Sequence, residues 1–171
     1  MLNRTLGILA ILGFTASLAV HLLTYRGYAI SDTVPGTWLL HLGVFVVWLP
    51  AVLKLNRARR GAEGLTHLLE YIPAWLLPVV MVFGQLIFVS GLVAMLDAPG
   101  VATYRDGRYL LVNHGEVLRE LSTEEFRRQH ALQDRSFSAV WVIFYGMAAM
   151  VLFFLPQNSA AEHDHTSLPA P

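Results

Sequence analysis

The chain contains no cysteine. That absence removes disulfides, thiolate nucleophiles, Cys-ligated zinc and iron–sulfur clusters together. Charge is the next scarcity: only 14% of the 171 residues are Asp, Glu, Lys or Arg, against roughly 25% in an ordinary soluble domain. The shortage is concentrated rather than spread. Residues 5–25, 36–53, 73–96 and 137–155 carry no charged side chain, and each run is long enough to cross the hydrocarbon core of a bilayer as a helix. A soluble bundle of four such helices would have no polar face left for water. Serine nucleophile elbows, glycine-rich phosphate loops and paired carboxylates inside the apolar runs are also missing, so hydrolase, nucleotide-binding and carboxylate-relay pump chemistry lack their usual local parts. Lys+Arg and Asp+Glu balance at 12 each, with no long basic run, which argues against nucleic acid as a partner.

What is present predicts an all-α membrane protein in a lipid bilayer, with four transmembrane helices at about 5–25, 36–55, 73–96 and 137–155. Residues 1–96 hold the first three spans, 97–136 an extramembrane module, 137–156 the fourth span and 157–171 a polar, disordered tail. On the first span Ala10, Gly13, Ser17 and His21 share one face of small or polar residues that should look into the bundle. Pro50 is placed to kink the second span, Pro73 to open the third, and Pro78 to bend it. Gly84 and Gly91 lie seven apart, the spacing of a tightly packed face, and Gln85 and Ser90 are the strongly polar side chains within the third span. Gln85 is expected to form an interhelical hydrogen bond. Before that span, Leu65, Leu68, Leu69 and Ile72 have the spacing of a short helix lying in the headgroup region, or of an early start to the span itself.

Residues 97–135 carry more than half of the charges. Asp106-Gly107 between two short apolar-alternating runs predicts a two-residue hairpin with Tyr104 opposite Tyr109. A second turn at Asn113-His114-Gly115 leads to a third short strand, completing a meander within a 101–133 hairpin-and-helix module. Ser122 with Glu125 forms the sequence signature of a capping box, and Leu121 with Phe126 that of a hydrophobic staple. The helix so started, from Thr123 through Gln133, is placed to run on into the fourth span.

Candidate chemistry centres on histidine. His21 and His41 fall at similar depth in antiparallel neighbours, on the same side as His114 and His130. Two readings are open: histidines hydrogen-bonded to one another, a carbonyl or water, or a haem or quinone pocket at His21 and His41 walled by Trp38, Phe45 and Trp48. A metal site would recruit His114 or His130 as well. The tail sequence His163-Asp164-His165 is a solvated tract. Lys54, Arg57, Arg59 and Arg60 form the densest basic cluster and place the termini on the cytoplasmic side, although the arginines at 26, 105, 108, 119, 127, 128 and 135 weigh the other way by count.

From residue 109 to 145 the run of Asn113-His114-Gly115, Arg119-Glu120-Leu121, Ser122-Thr123-Glu124-Glu125-Phe126, Arg135-Ser136-Phe137-Ser138, Trp141, Phe144 and Tyr145 resembles a pattern in uncharacterised small bacterial multi-pass membrane proteins. The resemblance implies a bacterial inner-membrane origin and carries no activity. The functional expectation is an accessory or interaction protein rather than an enzyme. It would dock a membrane-protein partner or a second copy through residues 97–135, with Tyr104, Tyr109, Arg119 and Phe126 as its interaction residues. The alternatives are a haem-, quinone- or metal-binding redox component using His21 and His41, and an oligomeric channel or transporter.

Overall fold

A computed structural model describes residues 2–60 and 69–155. The elements run α1 (Leu2–Thr24), α2 (Ile30–Thr33), α3 (Trp38–Arg60), α4 (Leu76–Leu96), β1 (Val101–Arg105), β2 (Arg108–Asn113), β3 (Glu116–Glu120) and α5 (Thr123–Phe154). Helices α1, α3, α4 and α5 are each long and apolar enough to cross a membrane. Many of their large apolar side chains face outward, among them Leu12, Phe45, Leu86 and Val140, as lipid solvation allows and water does not.

Helix α5 is the hub, packing against α1, α3, α4 and the sheet. The predicted inward face of α1 is observed: Ala10, Ser17 and His21 are buried, and Gly13 admits the Tyr145 ring against its backbone. Val44, Val47 and Ala51 of α3 close the same core on Trp141, Tyr145 and Ala148.

Three boundaries differ from the sequence reading. Gly36 lies outside α3 with a φ of 88°, a left-handed conformation that ends the preceding turn. The third span begins at Leu76, so Pro73 sits in the turn before it and Pro78 in its first turn, where a missing N–H has no intrahelical partner to lose. Pro50 is inside α3, which continues to Arg60. The connection before α3 contains the one-turn helix α2. The proposed headgroup helix at 65–72 falls largely outside the described residues, as does the tail beyond Leu155.

At the end of the bundle holding the C-terminus of α5, Lys54 is buried and its Nζ donates to the Leu152 carbonyl at 2.8 Å. One member of the basic cluster is thereby used to satisfy an orphan carbonyl in the last turn of α5, where the helix dipole favours a cation.

The sheet is antiparallel with strand order β1-β2-β3. Tyr104 pairs with Tyr109 as predicted, and Asp106 and Gly107, at φ 52° and 79°, make the two-residue turn that matches strand twist. Ala102, Leu111 and Leu121, joined by Tyr109 and Phe126, form its small core against α5. The capping box at Ser122 and Glu125 is formed on both sides, and α5 runs unbroken for 32 residues.

Candidate functional site

Polar side chains from three helices converge where the bundle meets the module. His21, three residues from the end of α1, is 1% exposed. Its Nδ1 lies 3.0 Å from Ser138 Oγ on α5 and its Nε2 3.2 Å from Ser90 Oγ on α4. Ser90 also hydrogen-bonds the Tyr25 hydroxyl, and the Tyr25 ring stands edge-on to the imidazole at 5.7 Å. The Arg135 guanidinium covers the other ring, 4.0 Å from the Tyr25 centroid. Arg135 donates to Thr24 Oγ1 at 3.1 Å and to the Thr24 carbonyl at 2.9 Å, closing the C-terminus of α1 with a cation. Ser17, one turn below His21, is fully buried and its hydroxyl has no partner among the described residues.

A second set ties the module to the bundle. Buried Asp134 accepts the Ser31 backbone N–H at 2.9 Å, a carboxylate placed at the start of α2. Asp32 meets His130 Nδ1 at 2.9 Å, while His130 Nε2 lies 3.1 Å from the Ala102 carbonyl of β1. Gln129 donates to the Gly100 carbonyl at 3.0 Å. At the far end of the module Glu125 accepts the Ser122 N–H at 2.8 Å and the Arg119 guanidinium at 2.7 Å. Together these bonds hold its carboxyl below the usual range.

The residues singled out from sequence divide between these settings. His21 and His41 share no partner: His41 accepts from Trp141 Nε1 at 3.2 Å and packs among Phe45, Phe137 and Trp141. Trp38 and Phe45 point outward, and Trp48 packs on Phe144, so these aromatics do not wall a pocket around His21. A haem or metal bridging the two imidazoles would first have to break the bonds from His21 to Ser90 and Ser138. His114 is exposed in the turn between β2 and β3, and His130 is engaged with Asp32 and Ala102. Among the described residues no three His, Asp or Glu side chains are grouped to hold a metal ion. Gln85 makes no interhelical hydrogen bond among the described residues; exposed at the outer face of α4, it lines an apolar groove instead. Ser90 does enter a network. Of the interaction residues, Tyr104 and Arg119 are exposed, whereas Tyr109 and Phe126 pack into the core of the module.

Sequence reasoning missed Tyr25, Thr24, Asp134, Arg135 and Ser138. Their partners lie far along the chain, and no local pattern marks them. No family model, curated protein or solved structure matches this chain, so the site is read from its own geometry.

Proposed function

We propose that the chain is an integral membrane accessory protein of the bacterial inner membrane that docks a membrane-protein partner, or a second copy of itself, through the 97–135 module. One observation carries the reading. Every residue of β3 is exposed, and the strand lies at one edge of its sheet. Its free edge offers backbone donors and acceptors to an added strand, with Val117 and Leu118 as apolar contacts. Behind it the module is tied to the bundle through Asp134–Ser31, His130–Asp32 and Gln129–Gly100. A surface mounted in this way loses little conformational freedom on binding.

The reading keeps the termini on the cytoplasmic side, supported by Arg57 and Arg59 at the end of α3, and puts the module on the opposite side. A photo-crosslinking side chain at Val117 or Leu118, introduced in cells, should give a discrete adduct whose mass identifies the chain itself or another membrane protein. Val117→Asp with Leu118→Asp should abolish co-purification of that species without lowering the melting temperature. A lone monomer, unchanged by deleting residues 101–121, sinks the proposal.

A further inference from the structure

Gln85 is the tenth of the 21 residues of α4, the most apolar of the four described spans. It stands near the middle of a hydrocarbon core about 30 Å thick, too deep for its side chain to reach the headgroups on either side. Its carboxamide is exposed on the outer face of the helix and has no hydrogen-bond partner among the described residues. Thr15, also exposed within a span, closes its hydroxyl on the Ile11 carbonyl at 3.0 Å; Gln85 makes no such bond. An amide carries both donors and an acceptor, and hydrocarbon holds no water to meet them. Leaving them unmet is costly, so this face of α4 calls for an occupant that is itself polar at the middle of the bilayer.

Helical spacing gives the shape of that occupant. Met81, Gln85, Phe88, Leu92 and Met95 follow one another at steps of four, three, four and three, the a and d spacing along which two helices pack side by side. All five are exposed, and α4 is the least buried of the four described spans. The stripe is also one wall of a trough. Met81, Gln85 and Phe88 line a groove of about 530 Å³, and Phe88, Leu92 and Met95 line a second of about 500 Å³. The two grooves share Phe88 and, on α5, Ile143. From Met81 to Met95 the trough runs about 21 Å at helical rise. A lipid tail fits its apolar lining but brings no hydrogen-bonding group to this depth. A transmembrane helix does both.

We propose that the trough is an interface with a second copy of this chain, α4 lying against α4 about a two-fold axis along the membrane normal, with the two Gln85 carboxamides hydrogen-bonded to each other. Two features select a second copy. A carboxamide is donor and acceptor at once, so it is complementary to itself across a two-fold axis. A copy inserted in the same sense also carries its Gln85 at the same depth. The stripe is apolar except at this position, and a single polar residue at an a position fixes the register of two helices. The neighbouring layers, Met81 against Met81 and Phe88 against Phe88, are apolar, and methionine adapts its shape to the gap it fills. A repeat of about 3.5 residues sets the two helices at about 20° to one another. This interface is separate from the edge of β3 and uses nothing in the module.

Because the chain has no cysteine, each introduced thiol reports one position. The full chain, in the membranes of the cells that make it, carries Met81→Cys, Phe88→Cys, Leu92→Cys or Met95→Cys on the stripe, or Val79→Cys, Leu86→Cys or Val93→Cys on a different exposed face of α4. Mild oxidation should link two copies at the first four positions and not at the last three. Equal linking on both faces, or none at any position, overturns the proposal. A photo-crosslinking side chain at Leu92 that captures another protein in place of a second copy overturns it as well. The part played by Gln85 is read from energy transfer between two labelled populations in lipid vesicles. Gln85→Leu should weaken association by about 3- to 30-fold, the range of interhelical hydrogen bonds in bilayers, and Gln85→Asn, which keeps the amide, should recover most of it. The melting temperature in dilute detergent should not fall in either variant, since Gln85 holds no bond among the described residues of one copy. Undiminished association of Gln85→Leu overturns the amide pair. Val117→Asp with Leu118→Asp should leave the α4 links intact, so that failure at β3 and failure at α4 show separately.

Discussion

Glu125 closes the capping box, accepting the Ser122 N–H while Arg119 pairs with its other oxygen. Its folded carboxyl titrates below the ordinary value of 4.5, so its contribution is complete above that value and is lost as pH falls through the folded one. Amide exchange at residues 123–126, corrected for intrinsic rates, should therefore accelerate as the solution is acidified. Glu125→Gln should remove most of that dependence while leaving exchange in the apolar part of α5 unchanged. His21 is the contrasting case: it is buried, and its partners are two serines 69 and 117 positions away in sequence.

At the scale of elements, two glycines seven residues apart in α4 do opposite things. A Cβ at Gly91 would lie 2.5 Å from the Ala139 Cβ, so α4 and α5 approach each other closely here. Gly91→Val should push the helices apart and destabilise by about 1–3 kcal/mol, the usual cost of overpacking. Gly84→Ala meets open space and should stabilise by about 0.5–1 kcal/mol through helix propensity. Thermal unfolding in one mild detergent would show the two shifts with opposite sign.

The contrast marks the limit of what sequence can say. Spacing alone put both glycines on a packed face, because periodicity reports which residues share a face and not what stands opposite. Capping residues, the Asp106-Gly107 turn and the uncharged runs were readable because their physics is local. The pairing of Asp134 with Ser31, or of His21 with Ser138, depends on how α1 and α5 meet across the bundle. That His21 and His41 have separate partners has the same origin: equal depth does not set rotation about a helix axis.

Over the whole molecule, α5 joins the sheet, α2 and three apolar helices in one continuous rod. Its polar half, 123–136, stands against the strands, and its apolar half lies among α1, α3 and α4. Leu132→Pro would remove a hydrogen bond near the junction at a cost of about 3 kcal/mol or more. Spin labels at Tyr104 and Arg26 should then give a broad distance distribution in place of a narrow one, with strand content retained. An unchanged narrow distribution would mean that the ties to Ser31 and Asp32 suffice without the rod.

The hub is also the last of the described apolar helices in chain order. During synthesis α1 and α3 can meet each other as soon as both have left the ribosome, whereas α4, among the described residues, meets α1 mainly through side chains such as Phe83 and Ser90 and takes its close backbone packing from α5. For the time needed to translate the module, α4 lacks the helix against which Gly91 packs. Assembly is thus deferred: the four described spans close up only when α5 arrives, and any event that delays residues 97–136 prolongs an open three-helix intermediate.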